Sequence, residues 1–144
     1  MTRLTLLALL ALAACTPTPP SADADASSPG PAAPSADAPF ASEADYRQQY
    51  DAALAELEAA VQTGASRPAA CLAMMHSEQA CGGLTEWVVL SAETSDTTRV
   101  RALAERVTAL TRRANTQFEW ASTCMAYSAP PVTLRDGQCV ADLP

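Results

Sequence analysis

The sequence predicts a small all-α domain. Two long antiparallel helices enclose a short helical segment, two disulfides staple them, and a Pro/Ala/Ser tether precedes the whole. Three observations predict it. Two stretches repeat apolar residues at three-and-four spacing, four cysteines follow residue 40, and residues 16–39 use only Thr, Pro, Ser, Ala, Asp and Gly. At 144 residues the chain has room for one modest core. Its nine basic residues are all arginines and face sixteen Asp and Glu, a formal charge of -7. That balance gives nucleic acid no footprint and disfavours an anionic membrane surface.

The chain divides into 1–14, 15–39 and 40–144. Residues 1–14 have signal-peptide layout: a short start with Arg3, an apolar run over 4–12, then Ala13 and Ala14 before Cys15. A spanning helix needs about 20 apolar residues, and prolines from Pro17 onward stop this one at about half that length. Leu12-Ala13-Ala14-Cys15 resembles the lipobox of bacterial lipoproteins. The resemblance implies cleavage before Cys15, diacylation of its sulfur and anchoring in a membrane. An Asp after the cysteine resembles an inner-membrane retention signal; Thr16 stands there, which implies the outer membrane, facing the periplasm or the cell surface. The alternative is an ordinary cleaved secretory signal with a leftover cysteine. Residues 16–39 hold seven of the eleven prolines and cannot form a core. They are expected to be a disordered spacer with a reach of about 25 to 75 Å.

Residues 40–64 carry helix signals: Ser42 as N-cap, Glu43 and Asp45 in the first turn, and Gly64 past the end. Tyr46, Tyr50, Ala53, Leu54, Leu57, Ala60 and Val61 make one apolar stripe. A second helix of about 30 residues, roughly 45 Å, is expected from a Ser95 or Asp96 cap through Val100, Leu103, Val107, Leu110, Ala114, Phe118, Ala121 and Met125. Its arginines could complement Asp51, Glu56 and Glu58 on the first, although exposed pairs contribute only tenths of a kcal/mol. Between them, Ser66 and Pro68 start a short helix and Gly82-Gly83 stop it; the apolar run 84–90 reads as helix, with strand as the minor alternative. The tail is extended by its prolines and turns at Asp136-Gly137.

Setting Cys15 aside leaves Cys71, Cys81, Cys124 and Cys139, expected to pair in an oxidising compartment. Of three pairings, Cys71 with Cys81 and Cys124 with Cys139 is expected. The Asp-Gly turn carries Cys139 back to Cys124 at the end of the long helix, and a break near residues 75–79 lets the first pair close. Cys81-Gly82-Gly83, Trp87, Ser91, Ser122-x-Cys124 and Leu134-x-x-Gly137-x-Cys139 also resemble a group of small bacterial lipoproteins with no assigned activity. The sequence departs from that group at Gln79-Ala80, where Lys-Pro is expected, and at Leu90, where an aromatic is expected. The resemblance supports disulfides and implies no activity.

His76 is the only histidine, and no G-x-S-x-G elbow or phosphate-cradling glycine loop accompanies it. Glu43, Asp51, Glu56 and Glu58 read as a solvated helix face rather than an acid/base pair. Met74, Met75 and His76 between two cysteines suit Cu(I), but adjacent residues diverge on a helix. Buried methionines and a surface histidine are therefore expected, with no metal and no cofactor. Trp87, Phe118, Trp120 and Tyr127 read as core rather than as a binding patch. The expectation is a noncatalytic, lipid-anchored envelope protein that binds another envelope protein or a cell-wall component. Alternatives are an inhibitor or immunity lipoprotein against a cell-wall lytic enzyme, suggested by the acidity, and a structural or assembly lipoprotein.

Overall fold

The computed structural model describes residues 38–143. The signal segment, Cys15 and the tether up to residue 37 lie outside the described residues. The fold is not all-α. Two helices, α1 (Glu43–Ala60) and α2 (Thr97–Gln117), pack with two antiparallel hairpins: β1 (Cys71–Glu78) with β2 (Leu84–Ser91), and β3 (Val132–Arg135) with β4 (Gln138–Ala141).

The helix starts follow their signals. Ser42 caps α1 by accepting from the Asp45 N–H, and Asp96 caps α2 by accepting from the Arg99 N–H. Tyr46, Ala53 and Leu57 of α1 meet Val100, Ala104, Val107, Leu110 and Ala114 of α2 in one core. Leu57, Leu90, Val100 and Val107 are fully buried, each contributing about 1.5–3 kcal/mol. α2 ends at Gln117, well short of Cys124, so the expected 30-residue helix is a 21-residue one followed by a turn and irregular chain. Phe40 fixes the start of the folded region. Its N–H donates to Gln117 Oε1 and its carbonyl accepts from Gln117 Nε2, both at 2.8 Å, while the Arg113 guanidinium lies 3.9 Å from its ring centroid.

The segment expected to be helical, 71–91, is a hairpin. Pro68 survives only in a 3-10 turn, Pro68–Ala70. Gly82 and Gly83 do not stop a helix; their φ values of 85° and 86° shape the loop that joins the strands. Leu, Ala and Met in β1 favour helix locally, yet the β-branched and aromatic run of β2 pairs with them and the shared burial decides. Leu90 and the cross-strand partners Met74 and Val88 pack on the helix core and His76 is buried opposite Glu86, whereas Leu72, the partner of Leu90, is exposed. Helix α2 also closes the free edge of β1: Thr108 Oγ1 accepts from the Ser77 N–H, Thr111 Oγ1 accepts from the Glu78 N–H at 2.7 Å, and Asn115 donates to the Glu78 carbonyl at 2.6 Å.

Asp136-Gly137 turns the chain as expected, but into a two-residue hairpin. Positive φ at both residues, 50° and 75°, gives the turn whose twist suits antiparallel strands. β4 then reaches the chain after α1, where Cys139 N–H donates to the Thr63 carbonyl. The pairing of the cysteines is consequently not the expected one. Cys71 bonds Cys139 and Cys81 bonds Cys124. The second hairpin delivers Cys139 to the start of β1, and the chain after α2 brings Cys124 to the β1–β2 loop. A Cys71–Cys81 bridge would have to join opposite ends of an eight-residue strand, roughly 26 Å long, across its loop.

Candidate functional site

Ser77 interrupts β1 without adding a residue, since pairing runs on from His76 with Glu86 to Glu78 with Leu84. Its φ is 59°, in the left-handed region that costs a non-glycine residue about 1–2 kcal/mol. The consequence is that two successive residues, His76 and Ser77, both point inward, at 2 % and 3 % exposure, where an ordinary strand would alternate them. A left-handed backbone inside a polar cluster is the kind of strain that accompanies functional sites.

Around these residues the fold builds a four-member network. Ser77 Oγ lies 2.9 Å from His76 Nδ1, donates to Glu86 Oε2 at 3.2 Å, and lies 3.2 Å from the Tyr50 hydroxyl. Tyr50 donates to the same Glu86 oxygen at 2.9 Å. Two hydroxyl protons thus converge on one carboxylate oxygen. Where the Ser77 hydroxyl donates to Glu86, its Oγ accepts from the ring, which assigns the His76 proton to Nδ1 and a lone pair to Nε2. Burial lowers the His76 pKa and keeps the ring neutral against the pull of Glu86 and Glu58. Burial likewise pushes the Tyr50 pKa up to about 12, and Tyr50 stays a donor.

The network opens on a cleft between α1 and β2, about 450 Å³ in volume and lined by Leu54, Glu58, His76, Thr85, Glu86, Trp87 and Val88. The carboxylate of Glu86 is half exposed there. Neither Glu58 nor Glu86 is paired with an arginine among the described residues. Arginine ion pairs instead join Arg67 to Glu93, Arg106 to Glu56, Arg112 to Glu78 and Arg135 to Asp142.

Histidine, serine and a carboxylate together invite comparison with a charge-relay triad, and the geometry differs from it. A relay needs acid and hydroxyl on opposite ring nitrogens; here both approach Nδ1, Glu86 Oε2 at 3.7 Å. The Ser77 hydroxyl is hydrogen-bonded to Glu86 at 3.2 Å and its oxygen is buried. The arrangement can hold one imidazole in a fixed tautomer, with its free nitrogen at the cleft.

The other expected residues fall as follows. Cys71, Cys81, Cys124 and Cys139 are all disulfide-bonded and none is a thiolate ligand. Met74 packs on the core while Met75 pairs with Trp87 on the opposite face, so the soft-metal cluster is not assembled. His76 is buried, contrary to the expected surface position. Phe118 and Trp120 join the core beside Tyr46, whereas Trp87 and Tyr127 are exposed. Tyr50, Ser77 and Glu86 escaped sequence reading. Tyr50 looked like one more stripe residue, and Glu86 meets His76 only through the hairpin register. The Gly82-Gly83 pair, taken as a hairpin loop, was the signal that could have found them.

Compared with known proteins, the chain matches no family model, no curated protein and no solved structure.

Proposed function

We propose that the chain is a lipid-anchored lipoprotein of the bacterial envelope whose folded region is a noncatalytic binding module. The observation that carries the anchor is Leu12-Ala13-Ala14-Cys15. Supporting it, two disulfides use every cysteine of the described residues, which leaves Cys15 as the one thiol outside the bridges and suits an oxidising compartment. Two or more acyl chains on Cys15 hold a protein stably, at about 0.8 kcal/mol per buried CH2. The outer membrane is the proposed location, with the tether holding the domain off the bilayer. The binding reading draws on the cleft, in which apolar walls surround a few convergent polar groups. Envelope proteins and cell-wall components are the partners in view.

Globomycin and labelled palmitate test the anchor. Processing is expected to stall under the drug, and the label is expected on the wild-type chain and not on Cys15→Ala. A Cys15→Ala chain that stays in the membrane fraction overturns the anchor. A second reading, an inhibitor or immunity lipoprotein against a cationic cell-wall lytic enzyme, is favoured by the acidity: thirteen carboxylates face eight arginines in residues 38–143. Inhibition of wall lysis that high salt abolishes would select it. A purely structural or assembly role would leave lysis untouched and the cleft without a ligand.

A further inference from the structure

We propose that the cleft between α1 and β2 binds an N–H-bearing organic cation, the guanidinium or ammonium head of an arginine or lysine side chain presented by a partner protein. This deepens the binding reading above and rests on it.

His76 is 2 % exposed, yet it lines the cleft and its Nε2 makes no hydrogen bond among the described residues. With both hydroxyls donating to Glu86, the ring proton is assigned to Nδ1 and Nε2 keeps its lone pair. Glu86 uses only Oε2 within the protein, so Oε1 remains an open acceptor. Thr85 donates its hydroxyl proton to the Ser77 carbonyl and so presents oxygen lone pairs. Glu58, also on the cleft, makes no side-chain hydrogen bond or ion pair among the described residues. Glu58, His76, Thr85 and Glu86 therefore all offer acceptors, and no arginine lines the cleft. Leu54, Val88 and Trp87 supply apolar walls for the alkyl stem of such a side chain. Two carboxylates and a fixed neutral imidazole match a cation carrying several N–H donors and repel anions. The volume, about 450 Å³, sits at the small end of ligand sites and suits a head group rather than a large molecule.

Because His76 is the only histidine, a [15N]histidine label reports this site alone in the full chain extracted in detergent. The free protein is expected to show Nδ1 protonated and Nε2 unprotonated. Titration with N-acetyl-arginine methylamide or n-butylammonium should move Nε2 saturably, with a Kd of about a millimolar. Tetramethylammonium, equal in charge but without N–H, should bind more weakly. Glu58→Gln should weaken the arginine derivative about three- to tenfold, whereas Glu56→Gln, whose carboxylate pairs with Arg106, should leave it unchanged. Lysozyme, a folded protein rich in arginine, should bind more tightly than the free derivative. A protonated Nε2, no saturable shift, equal binding of tetramethylammonium, no effect of Glu58→Gln, or a response to Zn2+ in place of the organic cations each overturns the assignment. Binding of the small derivatives without lysozyme overturns the partner-borne source. Membrane fractionation of Cys15→Ala reads the anchor separately, so failure of the cleft and failure of the anchor are distinguishable.

Discussion

Removing the disulfides one at a time and together should cost more jointly than separately, because the two bridges are nested. Cys71–Cys139 spans 68 residues and encloses Cys81–Cys124, which spans 43. With the inner bridge intact, the outer one closes only the roughly 25 residues that lie outside it. In the chain-entropy model that loop is worth about 3.5 kcal/mol, against about 4.4 kcal/mol for the full 68 and about 4.0 kcal/mol for the inner 43. Removing the outer pair alone therefore costs about 3.5 kcal/mol, the inner pair alone about 3.1 kcal/mol, and both about 7.5 kcal/mol, leaving a coupling of about 1 kcal/mol. The assay is urea denaturation of Cys71→Ala/Cys139→Ala, Cys81→Ala/Cys124→Ala and the fourfold variant, all under non-reducing conditions. Packing lost at the buried Cys71 and Cys139 enters the double and fourfold variants alike and cancels from the coupling. If the fourfold variant is unfolded in plain buffer, all four proteins are measured in trimethylamine oxide, which strengthens apolar burial. Costs that add to within about 0.5 kcal/mol would refute the nesting, since independent sequential loops behave that way.

Three further outcomes are expected. Leu57→Ala removes a fully buried side chain between the helices and should destabilise by about 2–5 kcal/mol in urea; a loss below about 1 kcal/mol would contradict the core placement. Ser77→Gly and Ser77→Ala lose the same hydroxyl, but glycine tolerates a φ of 59°, so the glycine variant should be the more stable by about 1 kcal/mol; the usual strand order, alanine above glycine, would refute the left-handed backbone. His76 titrates at 6.5 when free and lower when folded, so the unfolded chain binds the extra proton. Stability is full above about 6.5 and falls as pH drops from there toward the lowered native value, even though Glu86 and Glu58 partly favour the charged ring. Denaturation midpoints across that window should fall with pH in the wild type and flatten in His76→Gln, and a rise on acidification would contradict the buried neutral ring.

Local signals proved legible where one short stretch decides the outcome. Ser42 and Asp96 cap their helices because a side-chain oxygen and an N–H three residues on meet whatever the rest of the chain does. The stripe through Ala53, Leu57, Val107 and Leu110 is read from helical spacing alone, and Asp136-Gly137 turns because both positions tolerate positive φ. The hairpin 71–91 was not legible. Its first strand has helix-forming Leu, Ala and Met, and only pairing with the β-branched run of β2, plus edge bonds from Thr108, Thr111 and Asn115, outweighs that preference.

By itself the sequence determined the lipobox likeness at Cys15, the acidic balance, two amphipathic helices and four cysteines suited to bridges. Tertiary structure alone decided which cysteine meets which, because Cys139 reaches Cys71 only after a hairpin 68 residues downstream has folded against β1. It alone also made a site of His76. The proton on Nδ1 and the lone pair at the cleft follow from Ser77, Glu86 and Tyr50, three residues that share no sequence period and meet only when α1 packs across the register of β1 and β2.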